Sequence, residues 1–189
     1  MIKDFQRQLN QLQVLLDALV LALSYSLAWY FAIKNPIFPQ GHGVLSPRFY
    51  FTVLIPMIPA YLFLYWILGL YKPMRTIRMK TALFRIIQSN SIGLLLSASI
   101  LFAFRKSGYF EHYSTRMLGF FYIFSICITT VERYALRRTL SSLRKRGFNQ
   151  KHIILVGFSP VSDRFIDLCK KNPDWGYHIY GVVDDLADI

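Results

Sequence analysis

The stretch of this chain best arranged to hold a ligand is Val156-Gly157-Phe158-Ser159-Pro160-Val161-Ser162, which follows an apolar run and opens a helical pattern. A dinucleotide fingerprint at such a place needs three glycines, for a tight turn, close phosphate approach and helix packing. Only Gly157 is present. Ser159 stands where the second glycine belongs, and its Cβ would crowd a pyrophosphate; Ser162 replaces the third. A helix N-terminus can still hold an anion loosely through its free N–H groups, which makes Gly157 and Ser159 the candidate anion site. The missing glycines favour a Rossmann-like scaffold that binds no NAD. Asp184 and Asp185 lie somewhat far along for a ribose contact and suit the end of a strand.

Other chemistry-bearing residues are sparse. Asp17 is the one acid early in an apolar run, and an acid inside lipid is a functional candidate by default. Near the start of its run, at the cytoplasmic end, it can reach water, so an ion pair with a neighbouring arginine is its expected role. Glu132 and Arg133 read as an interfacial pair. His42, His112, His152 and His178 show no ligand spacing, and Cys127 and Cys169 form neither a CxxC nor a Cys/His cluster. No metal site is expected, and no nucleophile with its base or paired-carboxylate site is evident. No residue is therefore assigned as catalytic.

The elements that position these residues are mostly apolar. The chain has 189 residues, 54% hydrophobic and 17% charged, with a mean hydropathy of +0.34. So few charges cannot cover an ordinary water-facing surface, and a disordered chain is excluded by the hydrophobicity. A net charge of +12 would suggest nucleic acid in a soluble protein. Here the basic residues sit between apolar runs, so membrane topology and anionic lipid head groups are the simpler reading, without nucleic acid. A spanning helix needs roughly 20 apolar residues. Residues 14–33, 49–71 and 86–104 qualify, and 117–134 reaches length if Glu132 and Arg133 snorkel to the interface. The first run is too long for a signal-peptide core, and Ile33-Lys34-Asn35-Pro36 is no cleavage site. Residues 71–85 suit either a basic amphipathic helix at the head groups or a solvated loop.

Charge bias orients the spans. Lys72, Arg75, Arg78, Lys80 and Arg85 follow the second run; Arg133, Arg137, Arg138, Arg144, Lys145, Arg146 and Lys151 follow the fourth. Four spans put both clusters on the cytoplasmic side, with the N-terminus, whereas three would split them. A transporter is disfavoured, because the later spans carry no charged midplane site and no evident repeat.

Composition changes near Gly147, a residue suited to a helix C-terminus. Residues 152–156 form a short β-branched apolar run, the mark of a buried parallel strand. Ser159-Pro160 starts a helix, and Val161, Phe165 and Leu168 give it an apolar face. Asn172-Pro173-Asp174 ends it, and residues 177–183 make a second strand. The expected fold is therefore an α-helical membrane protein with four transmembrane helices over residues 1–146, then an incomplete Rossmann-like βαβ segment over 147–189. Two strands and one helix cannot cover both faces of a parallel sheet. The expectation is a fragment of a longer chain, or a short product whose tail is poorly stable.

Several stretches carry a family resemblance: Leu15-Leu16-Asp17-Ala18, Gly69-Leu70-Tyr71-Lys72-Pro73, Tyr113-Ser114-Thr115-Arg116 and Arg144-Lys145-Arg146-Gly147. The most telling is Asn172-Pro173-Asp174-Trp175-Gly176-Tyr177, followed by Gly181-Val182-Val183-Asp184-Asp185. Across nearly its whole length the chain resembles the N-terminal half of large bacterial polyisoprenyl-phosphate hexose-1-phosphate transferases. These are monotopic phosphoglycosyl transferases that begin exopolysaccharide, O-antigen and capsule assembly. The resemblance implies an inner-membrane protein with both termini cytoplasmic and a Rossmann-like domain sometimes called CoA-binding. The catalytic domain, with its Asp-Glu pair, Mg²⁺, nucleotide sugar and undecaprenyl phosphate, lies beyond this chain. For the present residues the resemblance implies anchoring, positioning and, as an option, a homodimer, with no cofactor. Membrane-bound NAD-dependent nucleotide-sugar epimerases and dehydratases share a similar four-span start, and some have a degenerate domain next to the membrane. A non-catalytic recruitment or dimerisation module is the third reading.

Overall fold

The computed structural model describes residues 2–34, 46–71, 79–104, 113–145, 150–157, 159–172 and 175–184. The elements are α1 (Ile2–Trp29) with a π-helical end (Tyr30–Lys34), α2 (Pro47–Ile67), α3 (Met79–Ala103), α4 (Thr115–Lys145), β1 (Lys151–Val156), α5 (Pro160–Lys171) and β2 (Tyr177–Val183). Packing divides the chain into two units, Met1–Glu132 and Arg133–Ile189. Among the described residues four helices are long and apolar enough to cross a membrane: Leu9–Lys34, Pro47–Ile67, Met79–Ala103 and Thr115–Arg144.

The helices do not stop where the apolar runs stop. α1 starts at Ile2 and α3 at Met79, so Lys80 and Arg85 belong to the first turns of α3. The last part of the expected amphipathic stretch is thus α3 itself, and residues 72–78 lie outside the described residues, as do Gly147–Asn149, Pro173–Asp174, His42 and His112. α2 ends at Ile67, short of the expected Tyr71. The cause is a Schellman turn. Gly69 takes φ +72°, its N–H donates to the Trp66 carbonyl at 3.1 Å, and the Leu70 N–H donates to the Tyr65 carbonyl at 2.9 Å. Those bonds satisfy carbonyls that a helix end leaves open. Arg85 Nη1 reaches back from α3 and donates to the Gly69 carbonyl at 3.1 Å.

The first unit buries polar residues among an aromatic and apolar core and leaves many large apolar side chains exposed. The buried stripe of α1 runs Asp17, Leu21, Ser24, Tyr25, Ala28 and Ala32, the i, i+3, i+4 spacing of one helical face. Buried positions on the part of α4 in this unit are Leu118 together with Met117, Phe121, Ser125 and Thr129, the last four spaced every fourth residue. Ser89 and Asn90 of α3 are also buried, while Leu15, Leu19, Ile55, Leu95 and Ile123 are more than half exposed. Helical hydroxyls bond their own backbone, Ser24 to the Val20 carbonyl at 2.7 Å and Ser89 to the Arg85 carbonyl at 2.7 Å. Asn90 donates to the Ile86 carbonyl at 2.9 Å and accepts from the Tyr65 hydroxyl at 3.3 Å.

Aromatic rings tie the four helices together. Phe121 of α4 lies edge-on to Tyr25 of α1, centroids 5.7 Å apart, and to Tyr61 of α2, 5.4 Å apart. Such pairs add about 0.5–1.5 kcal/mol each beyond area burial. The Tyr25 hydroxyl donates to the Tyr50 carbonyl at 2.8 Å and lies 3.2 Å from the Tyr113 hydroxyl. Tyr61 rests on Gly93 of α3: a Cβ there would come within 2.5 Å of its ring carbons.

Gly93→Ala must push that ring aside, and overpacking of this kind costs roughly 1–3 kcal/mol. The variant should melt below the parent in detergent-solubilised thermal unfolding. Gly119→Ala is the control, since nothing lies within 4 Å of an added Cβ there; it should melt at or above the parent, because alanine is the better helix former. Equal melting of the two variants would refute this packing.

Candidate functional site

The site is the turn between β1 and α5, and it is built by the strands beside it. β1 and β2 pair in parallel, with Lys151 opposite Tyr177 and Val156 opposite Val183. β2 gains one residue at Tyr180, between the Ile153–Ile179 and Ile154–Gly181 pairs. Phe165 of α5 packs on Tyr177 with ring centroids 6.2 Å apart, and Cys169 is buried. Burial pushes the Cys169 thiol up from its ordinary value, which disfavours the thiolate that a nucleophile needs.

The chain leaves β1 at Gly157, whose N–H donates to the Val183 carbonyl at 2.8 Å. Ser159 is the N-cap of α5 and Pro160 follows at its first turn, the start expected from the sequence. The Ser162 N–H donates to Ser159 Oγ at 3.3 Å, and the Ser159 N–H donates to Ser162 Oγ at 3.2 Å. This is a capping box in which serine replaces the usual acidic partner. Ser162 Oγ also donates to the Gly157 carbonyl at 2.9 Å, and the Asp163 N–H donates to the Ser159 carbonyl at 3.1 Å.

The candidate anion residues Gly157 and Ser159 therefore sit together at the turn, and their N–H groups already have protein acceptors. A diphosphate at this place would have to open the capping box. Asp163 in the first turn of α5 adds a negative charge where a phosphate would seek the positive end of the helix dipole. As folded, the N–H groups of Gly157, Ser159, Ser162 and Asp163 are bonded within the protein rather than open to a diphosphate. Asp184 follows β2 and is exposed, and Asp185 lies outside the described residues.

The membrane-run candidates are placed differently from expectation. Asp17 does not reach water: it is fully buried on the inward stripe of α1. Arg133, which opens the second unit, is 1% exposed. Glu132, one residue before it, is half-buried. All three have interaction partners. Among the described residues no group of three His, Cys, Asp or Glu side chains could hold a metal ion.

Two arrangements in the second unit escaped the sequence reading. Arg144 near the end of α4 lays its stem against Gly176, at φ +68°, where an added Cβ would come within 3.0 Å of the Arg144 Cδ. The Gly176 carbonyl accepts from the Lys151 N–H at 2.7 Å, which starts the sheet. Two stretches that carry the family resemblance thus meet. His152 and His178 face each other across the strands, ring centroids 5.4 Å apart. A spacing of 26 residues hides that pairing; only the register reveals it.

The chain thus combines four long apolar helices with a small parallel βαβ unit whose turn is self-capped. The profile of the CoA-binding domain family matches residues 66–188. The chain belongs to that family, which is found in polyprenyl-phosphate sugar transferases. No curated protein and no solved structure matches the chain.

Ser159→Ala removes the cap and should cost about 0.5–2 kcal/mol, read as faster amide hydrogen exchange in α5 with α1–α4 unchanged. Exchange in α5 equal to that of the parent would show the cap to be idle. Gly176→Ala forces a side chain into a left-handed backbone against Arg144, a cost of roughly 1–2 kcal/mol for the backbone alone. It should loosen the strand pair in the same measurement, whereas Gly181→Ala, with nothing within 4 Å, should not.

Proposed function

We propose that this chain is the membrane-anchoring and N-terminal part of an undecaprenyl-phosphate sugar-1-phosphate transferase of bacterial surface-polysaccharide assembly. The observation that carries this reading is the extent of the family match. It runs from residue 66 to residue 188 and takes in α3, α4 and the whole βαβ unit together. Apolar helices and Rossmann-like module thus belong to one family unit, as the transferase resemblance implies. The stretches at residues 172–177 and 144–147 look more like the transferase than the epimerase and dehydratase alternative, and the self-capped turn at Ser159 and Ser162 is compatible with a scaffold role in either.

The distribution of side chains supports insertion in the bilayer. In water a core that includes Asp17, Ser24, Asn90 and Thr129 beneath a surface of leucine and isoleucine is unfavourable. In lipid it is the favourable arrangement, because buried polar groups find protein partners and apolar ones face the acyl chains. α4 has 31 residues, about 46 Å at 1.5 Å per residue, against roughly 30 Å of hydrocarbon. Its basic end, with Arg137, Arg138 and Arg144, would reach the anionic cytoplasmic head groups. No residue of the chain is given a chemical step; substrates and Mg²⁺ are handled elsewhere in the transferase.

Membranes carrying the complete gene product should transfer radiolabelled sugar 1-phosphate from a nucleotide sugar to undecaprenyl phosphate, and the purified 189-residue chain should transfer none. Transfer by the chain alone, or none by the complete product with any bacterial nucleotide sugar, would overturn the reading.

A further inference from the structure

The face of the β1–β2 pair that carries His152, Ile154, His178 and Tyr180 is exposed at each of these residues. His152 and His178 are direct partners in the parallel register, so their side chains leave the sheet on the same face. The extra residue at Tyr180 belongs to the same corner. Bulges re-aim side chains, and the Tyr180 ring stands edge-on to His152 with centroids 5.5 Å apart, and 6.2 Å from His178. Two imidazoles and a phenol therefore converge on one exposed spot. The covered side of the sheet is held by Phe165, Cys169 and Tyr177 instead.

We propose that His152 and His178 form a two-imidazole chelate for a borderline divalent transition-metal ion, of the Zn²⁺, Ni²⁺ or Cu²⁺ class, with Tyr180 bordering the site. Metal–nitrogen bonds of about 2.0–2.1 Å bring two ligating nitrogens within roughly 4 Å of each other. Rings whose centroids stand 5.4 Å apart can meet that with one rotamer adjustment each. Imidazole selects this class of ion over Mg²⁺ or Ca²⁺, which prefer oxygen. With two protein ligands the ion keeps open positions for water, so the site is exchangeable rather than a closed structural one. Occupied, it cross-links neighbouring parallel strands of a two-stranded sheet, and any ion that binds the folded form alone stabilises it.

The test uses the full chain in detergent, without a histidine tag and stripped with chelator. Zn²⁺ titration calorimetry and Cu²⁺ electron paramagnetic resonance are run on the parent, on His152→Ala, on His178→Ala and on the double variant. A chelate predicts a Cu²⁺ spectrum with hyperfine structure from two imidazole nitrogens in the parent, lost in either single variant. It also predicts an affinity for Zn²⁺ that falls at least about tenfold in each single variant, with the double variant no weaker than the singles. Because imidazole ligates in its neutral form, acidification to pH 5 should release the ion. Single variants that keep the parental affinity and spectrum would overturn the proposal, as would losses that simply add in the double variant. Far-UV circular dichroism controls for folding, and His178→Asn, which keeps a polar side chain of similar reach, must lose the ion as His178→Ala does.

Discussion

The first unit depends on the close approach of α2 and α3 at Tyr61 and Gly93. Apolar side chains gain little from one another in lipid, where the acyl chains are as apolar as leucine, so helices associate through close packing and polar contacts. Gly93 lets the Tyr61 ring lie directly on the α3 backbone, and the other edge of the arrangement is Phe121. Phe121 in turn meets Tyr25. One line of rings therefore touches all four helices, and the tyrosine hydroxyls at its flank reach backbone and partner oxygens on other segments. Ser91 and Tyr122, 2.9 Å apart, add a polar clasp between α3 and α4.

The same logic accounts for the burial of Asp17 and Arg133. Each falls in register with the apolar and aromatic positions of its own helix, and helical periodicity leaves no other direction for the side chain. Hydropathy alone assigns such residues to the interface, because it sums over a helix without regard to its faces. That each lies on a long apolar helix was legible from the sequence; its direction around the helix was not.

Much of the second unit could be read directly. A β-branched run, a Ser-Pro helix start and a second apolar run are local signals, and both strands and the N-cap of α5 fall where those signals put them. The features that escaped are the non-local ones. Arg144 meeting Gly176 needs the return of the chain from α5, and His152 facing His178 needs a register that Tyr180 shifts by one residue only after that pair. Likewise the end of α2 depends on Gly69 taking a left-handed conformation, which shortens a run that is apolar throughout.

The turn after β1 shows how two small substitutions change the chemistry of a common scaffold. In a glycine-rich version the backbone N–H groups at the helix start stay open, and an anion completes their hydrogen bonding. Here two hydroxyls complete it from within, and Ser162 also fastens the turn to the Gly157 carbonyl. The helix start is thereby fixed without a ligand, and the first-turn Asp163 supplies the negative charge that the dipole favours. The first turn of α5 is thus satisfied by bonds from within the protein, where a glycine-rich turn would leave the same N–H groups open to an anion.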